Sequence, residues 1–292
     1  VAVTPAPFVS YAQNGEDVVL WRALEGVSAG RYVEVGANHP RDDSVTRAFY
    51  DRGWSGITIE PVPYFADLQR AERPRDHLVQ AAITNTGRGQ ITLPVDLLVP
   101  TLRLDDVLAE SGWAGEEIHF MLIDVEGAER DVLQSVDLRR WRPWVLVVEA
   151  TEPNSTVTTH SEWEPGLIAQ GYQYCLFDGV SRFYVADEKA DLLRAALSYP
   201  ACVLDNYQTP SLTAAMRERR ELLQQIAHWR TIALTGWADA VSQAPGTPRG
   251  AGVDADFERT RRQLLAMQST LSWRITRPLR GVRRVIDLAR GR

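Results

Sequence analysis

Carboxylates recur in this 292-residue sequence where apolar runs stop: Glu34 in the run 31–37, Glu60 closing Gly56–Glu60, Asp124 closing His119–Asp124, and Glu149 closing Trp144–Glu149. Such groups accept hydrogen bonds from hydroxyls and amines and can ligate hard cations. The turn Glu34-Val-Gly36-Ala37-Asn38 offers a close backbone approach, because Gly36 has no side chain and tolerates unusual dihedrals. It lacks the G-x-G-x-x-G pattern that cradles a pyrophosphate, so a cofactor without phosphate fits better. Glu60, followed by Pro61, is placed to accept hydrogen bonds from a ribose diol. Asp124 and Glu149 end separate strands that are expected to be neighbours; the pair could coordinate Mg²⁺ or hold a polar substrate. Glu126 and Glu129 add charge around Gly127, and Glu129 also suits the start of a helix, where a carboxylate meets free amides. His39 follows the glycine turn, and His160 follows the polar segment Thr151–Thr159; either is a candidate general base, whereas His77 and His119 open strands.

The elements that must position these groups alternate. Strands are expected at 31–37, 56–60, 77–83, 90–95, 119–124 and 144–149, with helices at 45–52, 63–72, 102–111, from Gly127 to about 136, and at 162–170. Strands 173–177 and 182–185 flank Asp178-Gly179 as a terminal hairpin. Helices between strands imply crossovers and parallel pairing. The predicted fold is therefore an α/β, Rossmann-like, mostly parallel sheet with an antiparallel C-terminal hairpin and a helical tail. Ligands of such sheets bind beyond the carboxyl ends of the strands, where the four acids fall.

The expected division is a domain over 1–210 and a helical extension over 211–292, with a Pro- and Gly-rich linker at 242–252. Leu212, Ala215, Met216, Leu222, Leu223 and Ile226 have helical spacing, and Phe257, Leu264 and Leu271 are seven residues apart, which suits homo-oligomerisation. Net charge is −6, but residues 249–292 hold eleven arginines against four acids. Leu279, Val282, Ile286 and Ala289 form one face of a basic amphipathic helix, suited to an oligomer contact, a membrane surface or an acidic partner. The acidic body argues against nucleic acid. Without an apolar run of membrane-spanning length or a leader, the expected place is the cytoplasm, with peripheral contact at the inner face of the membrane. Two cysteines, Cys175 and Cys202, allow at most one disulfide and no Cys-based metal cluster.

Four blocks carry a resemblance: Ser10-Tyr-Ala-Gln-Asn-Gly-Glu-Asp-Val-Val-Leu20, Tyr32-Val-Glu-Val-Gly-Ala-Asn-His-Pro40, Gly53-Trp-Ser-Gly-Ile-Thr-Ile-Glu-Pro61 and Ile123-Asp-Val-Glu-Gly-Ala-Glu129. In order and spacing they resemble the FkbM-type methyltransferases over residues 8–187. The resemblance implies a class I methyltransferase fold, S-adenosylmethionine as donor, and methylation of a hydroxyl, often on a sugar. It also implies that Glu34, Gly36 and Ala37, next to Asn38, lie beside the methionine part of the cofactor and Glu60 at the ribose. Ala82, at the end of the third core strand, would lie near the adenine, with Gln13 and Asn14 in a segment that closes over the cofactor. Thr270–Arg280 resembles a segment that ends many bacterial enzymes of cell-surface polysaccharide synthesis, which points to a glycan or lipid-linked glycan acceptor. Peptide, lipid or small-metabolite acceptors, a nicotinamide oxidoreductase and a non-catalytic assembly protein of a glycan pathway are the rival readings.

Overall fold

The structure, a computed structural model, describes residues 7–93, 96–242, 259–263 and 265–266. The chain divides into two units, one ending at Arg219 and one beginning at Arg220.

The first unit is organised by a seven-stranded sheet. Its strands are β2 (Arg31–Val35), β3 (Ser55–Ile59), β4 (His77–Val79), β8 (Phe120–Ile123), β9 (Val145–Glu149), β10 (Tyr172–Phe177) and β11 (Ser181–Ala186), in the order β10-β11-β9-β8-β2-β3-β4. Every pairing is parallel except those of β11, the returning arm of the predicted hairpin. The central strands read as unbroken apolar runs because both faces are covered. Phe120 and Leu122 of β8 pack on one side with Leu20 and Leu24 of α1 (Glu16–Leu24) and Leu193 and Leu197 of α8 (Ala190–Leu197). Met121 and Ile123 pack on the other with residues of α4 (Leu104–Glu110), α5 (Glu129–Gln134), α6 (Leu138–Trp141) and α7 (Glu164–Ala169). Each such fully buried aliphatic side chain contributes about 1.5–3 kcal/mol. Two further helices, α2 (Arg47–Tyr50) and α3 (Pro63–Glu72), fill the crossovers beside β3.

Several expected bounds move. The single strand over 77–83 is two: the chain leaves the central sheet after Val79, and Ala82–Ile83 (β5) pairs instead with β7 (Leu97–Leu102). Ala82 thus opens a strand of a separate three-stranded sheet, and β4 is what ends the core at that edge. β7 was expected only as the first residue of a helix; it is the middle strand of that small sheet, between β5 and β6 (Gly89–Leu93). The helix expected at 45–52 is one turn, Arg47–Tyr50, and α1 was not anticipated.

The ends of this unit meet: β1 (Phe8–Val9) lies parallel to β12 (Tyr207–Gln208). The residues spaced from Leu212 to Ile226 fall in α9 (Pro210–Ser242). Most of the predicted linker, all three heptad positions and the whole basic amphipathic segment lie outside the described residues. Among the described residues no helix is long and apolar enough to cross a membrane.

Candidate functional site

Strand order reverses at β2: the chain first builds toward β3 and β4, then returns to lay β8 and β9 on the opposite side. Crevices at such switch points are the ligand sites of open parallel sheets. The turn leaving β2 crosses this point. Gly36 has φ +90°, and a Cβ there would stand 1.7 Å from the carbonyl oxygen of Asp124, so the close approach that requires glycine is to the neighbouring strand's exit. Gly36 and Ala37 both donate to the Ile59 carbonyl at 3.0 Å, which binds the turn to the end of β3.

Glu60 is buried, and its two oxygens accept the Asn38 amide at 2.8 Å and the Val62 amide at 2.7 Å. A carboxylate has lone pairs left after two such bonds, enough to receive a diol. Burial raises its pKa, and the two amides oppose that shift. Asn38, with φ 46°, turns the chain so that this amide points inward. The phosphate-free turn and the anchored strand-end acid therefore fit a nucleoside that carries a ribose diol.

Glu34 stands elsewhere. It lies under the switch point in a closed network, accepting from Thr46 Oγ1 at 2.7 Å and facing Arg73 at 3.5 Å. Arg73, whose side chain is wholly buried, also donates to Tyr32 Oη, Thr46 Oγ1 and Asp76 Oδ2 at 2.7, 2.7 and 2.8 Å. Glu34 holds the turn from below.

Asp124 and Glu149 do converge. β8 and β9 pair in register up to Ile123 and Val148, so the next residue of each strand exits side by side. The two carboxyls stand close enough for each to perturb the other. Burial and, at Glu149, the charge of Asp124 raise both above the ordinary carboxylate range, Glu149 the further. Glu129 does not cap the helix amides as its position suggested; as the first residue of α5 it turns back to the preceding turn, its Oε1 accepting from Gly127 at 2.9 Å and Val125 at 3.3 Å. Among the described residues no three His, Cys, Asp or Glu side chains gather to hold a metal.

Beside this pair opens a cavity of ≈ 590 Å³ lined by Gln13, Glu126, Glu149, Thr151, Asn154, Ser155, Thr156 and Val180. Its volume is in the range of small-ligand sites. The polar loop after β9 forms most of the wall and is closed by a Thr151–Thr158 bridge and by the Thr159 amide on the Ala150 carbonyl at 2.8 Å. Glu126 enters from the β8 exit with φ 55°. Gln13 comes from the N-terminal segment, which Asn14 fastens to the hairpin by donating to the Asp178 carbonyl at 3.1 Å. Thr151, Asn154, Ser155, Thr156 and Val180 were not singled out individually, although the polar run 151–159 was the signal that held four of them. The histidines do not line this cavity. His39 caps its own loop, its Nδ1 accepting the Asp42 amide at 2.9 Å, and His160 opens the single turn His160–Glu162.

Buried carboxyls away from the cavity contribute to the pH response of the fold. Burial pushes Glu16 up to about 8, Asp17 up to about 6 and Glu34 up to about 7. A carboxyl whose folded pKa exceeds its unfolded value favours the native state at low pH, and that contribution disappears as pH rises through the folded value. Stability should therefore fall between about pH 5 and pH 8. Thermal melts of the full chain across this range check it, and a melting temperature that climbs with pH would contradict it.

The sheet order, with β11 alone reversed, and the crevice at the switch point define a class I methyltransferase domain, whose donor is S-adenosylmethionine. Residues 34–98 and 91–174 match the methyltransferase FkbM domain, and the domain they build belongs to that family. Comparison with curated protein sequences gave no match. Among solved structures, the chain is similar to a TehB-like SAM-dependent methyltransferase from Corynebacterium glutamicum, at 8% identity over 60% of this chain and 88% of that one, TM-score 0.36. It is also similar to a putative S-adenosyl-L-methionine-dependent methyltransferase from Methanococcus maripaludis, at 10% identity over 59% and 84%, TM-score 0.36.

Proposed function

We propose that the chain is an O-methyltransferase that modifies a sugar hydroxyl in a glycan or lipid-linked glycan. The observation that carries this reading is the cavity beside the Asp124–Glu149 pair, with its three hydroxyl and two amide side chains. Hydroxyls and amides both donate and accept, which matches the mixed hydrogen bonding of a sugar. The sulfonium of S-adenosylmethionine brings a methyl group that needs no further activation. What the chain must add is alignment of the acceptor and a place for its proton. The cavity wall supplies the first. The carboxyl pair supplies the second: Asp124 and Glu149 leave adjacent strands, Glu149 lines the cavity, and a carboxylate of the pair can take the proton.

Full-length protein, labelled S-adenosylmethionine and a panel of oligosaccharides should yield an alkali-stable methyl ether on sugar. Label that appears only on peptide, lipid or small-metabolite acceptors would overturn the reading. Parallel reactions with chelator test for Mg²⁺: activity that vanishes and returns with the ion would assign Asp124 and Glu149 to a metal instead of a proton.

Glu60→Ala tests the donor side. Loss of charged hydrogen bonds to the ribose should weaken S-adenosylmethionine binding by roughly tenfold to a hundredfold, measured by equilibrium dialysis. An unchanged affinity would remove Glu60 from the cofactor site.

A further inference from the structure

We infer that the sugar unit entering this cavity is neutral or carries an amino group, and that units bearing a carboxylate or phosphate are turned away. The inference rests on the acceptor reading above and narrows it. Of the eight lining residues two are ionisable, Glu126 and Glu149, and both are acids. Among the described residues no Arg, Lys or His lines the wall, so an anionic substituent would meet no counter-charge from them. Behind the wall stand Asp124 and Glu129, whose charges act on Glu149 in the same sense. Like charges brought together without a cation are a means of rejecting the wrong partner.

Glu149 adds an independent reason. It is 6% exposed, it lines the cavity, and its Oε2 receives no hydrogen bond among the described residues. A buried acceptor left in this state is costly, and a ligand that brings a donor relieves it. A sugar hydroxyl serves whether Glu149 is ionised or holds a proton, because it both donates and accepts, whereas a carboxylate or phosphate only accepts and leaves an ionised Glu149 unrelieved. For a lipid-linked acceptor, the phosphate of the anchor must therefore stay outside the cavity, which makes a unit away from the anchor the one modified.

The test uses the full chain loaded with S-adenosylhomocysteine and four probes: a methyl hexoside, its 2-amino analogue, its uronate and its 6-phosphate. Saturation-transfer NMR should show binding of the first two at least tenfold tighter than of the last two. Glu126→Gln should narrow that gap. Equal or tighter binding of the uronate or phosphate, or no binding of the neutral and amino probes, overturns the inference. Methyl transfer to the probes is read separately with S-adenosylmethionine. Binding of the expected probes with no transfer to any sugar would count against the O-methyltransferase reading while leaving the charge selection standing.

Discussion

Glu149→Gln is expected to lower the methyl-transfer rate by about 10²–10⁴-fold, the range that a positioned proton acceptor supplies, with S-adenosylmethionine affinity little changed. The amide keeps the shape of the side chain but cannot share or take a proton. In the native chain the rate should also fall with acid, as the Asp124–Glu149 pair becomes protonated in a range that burial has lifted above that of ordinary carboxylates. Stopped reactions across pH, run beside dialysis measurements of cofactor affinity, separate this loss from one of binding. Undiminished turnover in Glu149→Gln, with collapse in His160→Ala, would transfer the proton to the histidine.

Arg73→Met should cost about 3–5 kcal/mol of stability, as expected when one partner is removed from a buried charge cluster. Three groups then lose their common donor: Tyr32, Asp76 and Thr46, with Glu34 left facing an apolar side chain. Adding Glu34→Gln should recover part of the loss, since the stranded carboxylate is a large share of it. Urea unfolding of the two variants provides the measurement. Equal loss in the single and double variants would mean that packing of the arginine stem, not its charge, holds the region together.

The central strands were legible because a two-faced parallel sheet writes itself as a short apolar run, and the terminal acids of β8 and β9 fell where the runs stopped. The three-stranded sheet was not. Pro100 sits in its middle strand, where the missing amide is a signal against a strand, and the neighbouring leucines also suit a helix. The site was half legible. Glu60, Asp124 and Glu149 stand at strand ends by position, but Glu34, in the same pattern, lies within β2 with its carboxyl buried against Thr46 and Arg73. What separates them is Arg73, thirty-nine residues along the sequence from Glu34, and no local pattern connects the two. The cavity-lining loop 151–159 is legible as a polar run, but no local pattern marks which of its hydroxyls face the cavity.

The bond from Asn14 to the Asp178 carbonyl spans 164 residues, and the β1–β12 pairing spans more. Contacts of such separation form late, after the shorter loops have closed. A ribosome-bound chain could lay down β2, β3 and β8 and so assemble the donor crevice, but the wall that carries Gln13 would wait for the hairpin to emerge. The wall at Gln13 is thus the last part of the cavity to be completed as the chain emerges.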